Sequence, residues 1–405
     1  MNTQNLLINN FIQSCYIKNE FSKSLSKDFN KSFFQIERDI KVLKKTLNIL
    51  DKNFKLNFKA KDLKRFNKFK KISIIGMGGS ILGIQAVYNF FKKKIKKKVY
   101  FFDDIDQEKI LNFKNKNNLK KILFIVISKS GNTVETLSNM FFLKILKKNS
   151  NNIIVISENK NNTLFKLSKK LNLFYIEHNN YIGGRYSIFS ETGIVPAYLM
   201  GINISKFKSK TLFFLRGKQK IFLKNSSLKL ANIMKTNKLK SLIFLNYSPK
   251  LEKFLFWCQQ LIAESLGKKN KGFLPVISNV PKDHHSLLQL YLDGPKDKIF
   301  YIFSLTEKFK DFIKVNKIFD KNIFLNNKSL TKVKEAQSKA LIKAFKKNKI
   351  PFREFKIKKL DEETLGKLFS YFILETVTLG KLLKINPFNQ PAVEQVKIYT
   401  KKLLI

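Results

Sequence analysis

Ile122-Leu123-Phe124-Ile125-Val126-Ile127 is a short, β-branched apolar run, and Ser128-Lys129-Ser130-Gly131-Asn132-Thr133 follows it without a spacer. A run of this length without polar alternation reads as a strand buried on both faces, which calls for a parallel sheet covered by helices. Val134-Glu135-Thr136-Leu137 then opens a helical pattern. A strand, a turn of hydroxyls and amides, and a helix start bring free backbone N–H groups and the positive end of a helix dipole to one point. The hydroxyls of Ser128, Ser130 and Thr133 and the ammonium of Lys129 add donors there. Such a turn suits the phosphate of a small molecule.

A second turn of this kind lies upstream, where Gly76-Met77-Gly78-Gly79-Ser80 follows the apolar run Ile72-Ser73-Ile74-Ile75. Glycines let backbone approach a ligand or a neighbouring strand where a Cβ would clash. The rival reading is a dinucleotide fingerprint, with Asp103 or Asp104 after Val99–Phe102 as the ribose-binding acid. The third glycine of that fingerprint is missing, because position 81 is Ile. Two loops at neighbouring strand ends, one rich in hydroxyls, fit a sugar phosphate better.

Strand and helix patterns alternate through most of the chain. Ile72–Ile75, Val99–Phe102, Ile122–Ile127, Ile153–Ile156 and Phe174–Ile176 read as strands, with helices at Ser80–Phe91 and Thr133–Leu146. The alternation resumes with strands at Leu242–Leu245, Gly272–Ile277, Ile299–Phe303 and Phe352–Ile357, and helices at Leu251–Ser265 and Val333–Lys347. This predicts an α/β chain with two doubly wound parallel sheets, helices on both faces of each. The repeated architecture suggests a duplication without a residue-level repeat. The expected divisions are an N-terminal helical segment 1–50, a first α/β domain 51–203, a second 204–358, and a C-terminal helical segment 359–405. In that last segment Pro391 sits at or near the start of a final helix, Ala392–Leu404.

The chain has 405 residues, enough for several full cores, and a formal net charge of +50. The charge is mostly Lys spread along the whole length, with abundant Asn, Ile and Phe, so it reads as compositional bias and a solvated surface. A nucleic-acid binder would gather its cations on one face with aromatics interleaved; no nucleic-acid partner is expected. A basic surface still attracts anionic substrates. Cys15 and Cys258 are the only cysteines, which makes no disulfide framework or metal knuckle and suggests a reducing compartment. No signal peptide is visible, and no apolar run nears the ~20 residues of a membrane span, so no membrane partner and a cytoplasmic location are expected.

Four further positions carry candidate chemistry. Glu264 ends an apolar helical stretch, Phe254–Cys258 onward, with Gln260 one turn before it on the same face. A partly desolvated carboxylate there is a stronger base; an ordinary solvated helix residue is the competing reading. Adjacent histidines His284 and His285 diverge by about 100° on a helix, which suits an acid/base role better than a shared metal. Asp283 before them looks like an N-cap or the anchor of a structural turn. Arg185, after Gly183-Gly184, is a rare arginine in a Lys-biased chain, which points to a need for a planar fork or permanent charge. Lys397 on the last helix is, by itself, one Lys among dozens.

Taken together these segments resemble the phosphoglucose isomerase family, built of two sugar-isomerase (SIS) domains, flavodoxin-like in topology, with helical end segments. The resemblance is carried, in the family's order, by Gly76–Ser80, Ser128–Thr136, Gly183–Ser187, Gln260 with Glu264–Lys268, Asp283–Ser286 and Gln390–Lys397. It implies that Ser80, Ser128, Lys129, Ser130 and Thr133 hold a sugar's phosphate, and that Gly184, Gln260 and Gln390 line the substrate site. Glu264 matches the base that moves a proton between C1 and C2, and Arg185 the cation beside the enediolate. His285, four residues before Gln289, matches the ring-opening histidine, which in the family comes from the partner subunit. Lys397 matches a lysine that assists ring opening. The resemblance therefore implies a homodimer with shared sites, interconversion of glucose 6-phosphate and fructose 6-phosphate, and no metal or redox cofactor. The Ser-Gly-Asn of the hydroxyl loop stands where many members have Thr and an aromatic residue, which leaves room for mannose 6-phosphate as well. A non-catalytic sugar-phosphate-binding regulator is the alternative, which would need no joint retention of Glu264, Arg185 and Lys397.

Overall fold

The alternation of strands and helices resolves into two five-stranded sheets that share one order over four of their strands. The computed structural model describes residue 1 and residues 5–307, 311–315 and 323–405. Among them ten strands are numbered in chain order: β1 (Leu6–Phe11), β2 (Lys71–Gly76), β3 (Lys98–Phe102), β4 (Ile122–Ile127), β5 (Ile153–Ser157), β6 (Phe174–Glu177), β7 (Ser241–Asn246), β8 (Leu274–Asn279), β9 (Lys298–Leu305) and β10 (Phe352–Ile357). The first sheet runs β3-β2-β4-β5-β6 and the second β8-β7-β9-β10-β1. Every pairing is parallel except that of β1, which lies antiparallel on β10. The central strands are buried along their whole length, as β4 and β5 are, which is why they carry apolar residues without alternation.

All nine expected strands are present, with ends moved by a residue or two; Gly272–Ile277 becomes Leu274–Asn279. The helix Asn19–Lys41, with a 3₁₀ stretch at Thr46–Leu50 after it, lies near the N-terminus. Ahead of it stands β1, which the sequence reading did not anticipate. Its Leu6 and Ile8 are fully buried, and Asn9 Nδ2 donates to Glu354 Oε2 across the pair at 2.8 Å. Two asparagines in six residues hide this strand from a propensity reading. At the other end lie the helices Glu362–Leu382 and Val393–Leu403. No helix among the described residues is long and apolar enough to cross a membrane.

The helix following the first strand of one sheet, Leu82–Phe91 after β2, packs on its counterpart in the other, Glu252–Leu266 after β7. The two halves thus meet through equivalent elements. Helix Glu362–Leu382, buried over nearly all its length, packs against Glu252–Leu266, Gly217–Thr236 and Asn19–Lys41. One polar network crosses this buried helix. Arg353, fully buried on β10, donates through Nη1 to Glu375 Oε1 at 2.7 Å and Tyr301 OH at 3.0 Å, and through Nη2 to Ser226 O at 2.8 Å. Tyr371 OH also donates to Glu375 Oε1, at 2.8 Å.

An unpaired buried charge costs far more than a paired one contributes. Glu375→Gln is therefore expected to destabilise the protein by about 3–5 kcal/mol in urea unfolding. Replacing both partners, Arg353→Met with Glu375→Leu, should recover most of that loss.

Candidate active site

Strand order reverses between β2 and β4: the chain leaves β2 for β3 on one side and returns to β4 on the other. Crevices at such switch points, beyond the carboxyl ends of the strands, are where open α/β sheets bind ligands. Gly76 and Ile127 are register partners at those ends, so the loops Met77–Ser80 and Ser128–Thr133 leave the sheet side by side.

The hydroxyl loop is shaped by Gly131, whose φ of +67° favours glycine; a Cβ there would lie 1.8 Å from Asn162 Oδ1. Ser128 Oγ and Thr133 Oγ1 are 2.8 Å apart, and Asn132 N donates to Ser130 Oγ at 3.3 Å. Thr133 is the N-cap of helix Val134–Phe142, yet its hydroxyl turns to Ser128 and makes no cap bond to the helix backbone. The first-turn amides thus keep their capacity for an anion. Lys129 Nζ stands 3.7 Å from Glu158 Oε1, which narrows its part in holding an anion. Burial lowers the Lys129 pKa, with Glu158 opposing and Arg185 adding to the fall.

Arg185 lies on the 3₁₀ turn Gly184–Phe189, and Gly79 allows that turn to touch the glycine loop. A Cβ on Gly79 would sit 2.3 Å from both Arg185 N and Gly184 C. The guanidinium is buried and all five of its N–H groups find acceptors. Nε donates to Ser265 Oγ at 2.8 Å; Nη1 to Glu264 Oε2 at 2.9 Å and Gln390 Oε1 at 2.8 Å; Nη2 to Pro387 O at 2.7 Å and Asn389 O at 3.2 Å. Trp257 Nε1 fixes the Arg185 carbonyl at 3.0 Å. Tyr186 OH reaches Ser265 Oγ at 2.8 Å and Pro387 O at 2.9 Å. Burial raises the pKa of Tyr186 against the pull of Arg185 and these bonds, so it stays neutral.

Glu264 is thereby held on both oxygens: Arg185 on Oε2, and Gln260 Nε2 on Oε1 at 2.8 Å. Its side chain keeps 30% of its surface exposed, so a ligand reaches it. Gln260 Oε1 is buried and has no partner among the described residues, an acceptor waiting for a donor such as a sugar hydroxyl. Gly78, with φ of +50°, brings the glycine loop against Gln260 Nε2. Ser80 ends that same short turn.

The structure thus gathers Arg185, Gly184, Glu264, Gln260 and Gln390 into one cluster, beside loops carrying Ser80, Ser128, Lys129, Ser130 and Thr133. Two expected residues stand apart. His285 is exposed on the 3₁₀ turn Lys282–His285, and no hydrogen bond joins it to the cluster among the described residues. Lys397 is exposed on Val393–Leu403, with Nζ 3.1 Å from Glu394 Oε2. Asp283 is the anchor of a turn, accepting from Ser278 Oγ at 3.0 Å and Asn279 N at 2.8 Å, and does not cap a helix. His284 Nε2 is 3.0 Å from Tyr247 OH, and its pKa is lowered by burial and then by His285. Sequence reasoning missed Ser265 and Tyr186, which brace Arg185, and Lys268. Lys268 Nζ donates to Glu264 O at 3.0 Å and Asn389 O at 2.7 Å. No spacing signal distinguishes Lys268 from its many neighbours.

Comparison with known proteins agrees with this geometry. The family described as Phosphoglucose isomerase matches residues 36–404. The "Probable glucose-6-phosphate isomerase" of Methanococcus maripaludis is 36% identical over 360 residues, covering 86% of this chain and 80% of that protein. The "Glucose-6-phosphate isomerase" of Methanocaldococcus jannaschii is 34% identical, over 82% of this chain and 84% of that one. Among solved structures, a glucose-6-phosphate isomerase from Chlamydia trachomatis superposes with a TM-score of 0.78 at 16% identity, covering 100% of this chain and 89% of that one. A hypothetical protein from Thermus thermophilus reaches 0.82 at 23% identity, covering 98% and 99%. At these identities the superpositions speak for the fold.

Gly79→Ala tests the contact on which the cluster's assembly depends. Its methyl would meet backbone at 2.3 Å, which no rotamer change relieves. The substitution should displace the Arg185 turn and cost at least the ~1–3 kcal/mol of overpacking, read by denaturant unfolding.

Proposed function

Because the chain belongs to the phosphoglucose isomerase family, we infer that it interconverts glucose 6-phosphate and fructose 6-phosphate, as in glycolysis and gluconeogenesis, with Glu264 as the proton-carrying base. The observation that carries this reading is the Glu264 carboxylate held between Arg185 at 2.9 Å and Gln260 at 2.8 Å, partly open to solvent beside the hydroxyl loop.

The chemistry follows from charge. In the ring-opened aldose the C2 proton is acidic because it adjoins the carbonyl. Glu264 takes it, a cis-enediolate forms, and the same carboxyl returns the proton to C1. As Glu264 becomes neutral, negative charge appears on the enediol oxygens. The net charge facing Arg185 is therefore conserved, and little of its surroundings must reorganise. All five Arg185 N–H groups already have protein acceptors, so the guanidinium stabilises that charge through its fixed field. The phosphate sits on the Ser128–Thr133 loop with Ser80, where the first-turn amides of Val134–Phe142 and the hydroxyls converge. Gln260 and Gln390 meet sugar hydroxyls, and the free Gln260 Oε1 suits one of them.

Ring opening precedes this step and falls to His285 and Lys397. Neither touches the Glu264 cluster within one chain, which supports a homodimer in which His285 completes the partner's site. Lys397 acts from the last helix once sugar is bound.

Purified protein should convert fructose 6-phosphate to glucose 6-phosphate in a coupled assay without added metal, with mannose 6-phosphate run alongside to define epimer range. Absence of turnover would favour the sugar-phosphate-binding regulator. Ser130→Ala and Thr133→Ala should weaken phosphosugar binding by roughly 1.5–3 kcal/mol per charge-assisted bond lost, measured by calorimetry. Mixing inactive Glu264→Gln and His285→Ala protomers should restore activity, because a hybrid dimer holds one intact site. No recovery after verified subunit exchange would mean that each site is built from one chain.

A further inference from the structure

Lys268 lies just past the end of the Glu264 helix, at the break made by Gly267. A cation there meets the negative end of the helix dipole and the unpaired terminal carbonyls. Its three N–H groups have three acceptors: Glu264 O at 3.0 Å, Asn389 O at 2.7 Å and Asn389 Oδ1 at 3.4 Å. Asn389 O is also an acceptor for Arg185 Nη2 at 3.2 Å, so two cations share one carbonyl. The segment Asn386–Gln390 that offers this carbonyl has no helix or strand of its own. It nevertheless supplies three of the five acceptors of Arg185: Pro387 O, Asn389 O and Gln390 Oε1. Lys268 Nζ is the one side-chain cation besides Arg185 that bonds this segment among the described residues.

We propose that Lys268 is a positioning residue for the isomerisation: it clamps the Pro387–Gln390 segment to the end of the base helix and so holds Arg185 in register with Glu264. This rests on the isomerase reading above. The clamp is sensitive to pH. Burial, and then the Arg185 guanidinium, bring the Lys268 pKa down to about 8, with Glu264 opposing. Arg185 and Glu264 are the charged groups that face it; Asn386–Gln390 contributes no titratable side chain. Below that pH the ammonium has three N–H groups and a charge. Above it the amine has two N–H groups for three acceptors and no charge, so the segment loosens as pH rises.

The test measures fructose 6-phosphate turnover and, by NMR, solvent exchange of the buried Arg185 Nε–H that bonds Ser265 Oγ, on the full chain, for wild type, Lys268→Met and Lys268→Arg. In Lys268→Met, turnover at neutral pH should fall by about tenfold or more, as small misplacements of catalytic groups do. KM should rise by less than turnover falls, because the phosphate loop is on another segment and Gln390 is the one sugar-binding residue that the clamp holds. The wild-type fall in turnover centred near pH 8 should vanish, and the Arg185 Nε–H should exchange faster. Lys268→Arg, whose charge does not titrate, should restore turnover and move the alkaline fall upward. Wild-type exchange of the Arg185 Nε–H, or an unchanged alkaline limb, in Lys268→Met overturns the proposal. Should that variant not fold, wild type decides: protection of the Arg185 Nε–H, corrected for intrinsic exchange, must drop through pH 8, and constant protection refutes the clamp. If wild type turns over no sugar phosphate, the isomerase reading fails, and the exchange data still judge the clamp.

Discussion

One buried guanidinium joins three parts of the chain that are far apart in sequence. Arg185 comes from the turn after β6, Glu264 and Ser265 from the helix after β7, and Pro387, Asn389 and Gln390 from the segment before the last helix. Five N–H groups in a planar fork meet five acceptors, and a lysine has three donors and no fork. This is why an arginine persists here in a chain that otherwise uses lysine. Arg353 obeys the same logic on β10, where its fork serves Glu375, Tyr301 and Ser226 O in full burial. Lysine covers the surface; the fully buried guanidiniums are structural joints.

The joint depends on the doubled topology. Each sheet places its first crossover helix where the other's can pack on it, and so Glu264, at the end of one such helix, arrives over the loops of the other sheet's switch point. Gly79 closes the last gap by letting two backbones touch. The proposed base Glu264 therefore belongs to one half of the molecule and the hydroxyl loop to the other. Any relative movement of the halves is resisted by the five bonds of Arg185.

Much of this was legible in the sequence because burial writes itself there. Apolar β-branched runs gave the parallel strands, and the glycine and hydroxyl turns gave the strand ends that face a ligand. Arg185 stood out by its rarity, whereas Glu264 was set apart from an ordinary solvated helix residue only by the family resemblance. β1 was hidden by Asn9 and Asn10, whose pairing comes from β10 and not from local preference. The helix Gly217–Thr236 was not anticipated, its lysines and serines masking the residues it buries. Asp283 looked like a cap because local spacing cannot show that its carboxylate turns back to Ser278 and Asn279. Ser265, Tyr186 and Lys268 were invisible for a related reason: their roles lie in contacts between distant segments, which no periodicity encodes.

The central claim is that the carboxylate between Arg185 and Gln260 carries the proton. Exchange of the C2 hydrogen of glucose 6-phosphate with deuterated solvent measures that act directly. The wild-type protein should exchange it during turnover. Glu264→Gln keeps size and hydrogen-bonding capacity but lacks basicity, so it should bind phosphosugar while exchange falls by at least the ~10²–10⁴-fold attributed to general acid–base catalysis. Exchange at the wild-type rate in Glu264→Gln would mean that another group is the base and that the Arg185–Glu264 pair is only structural.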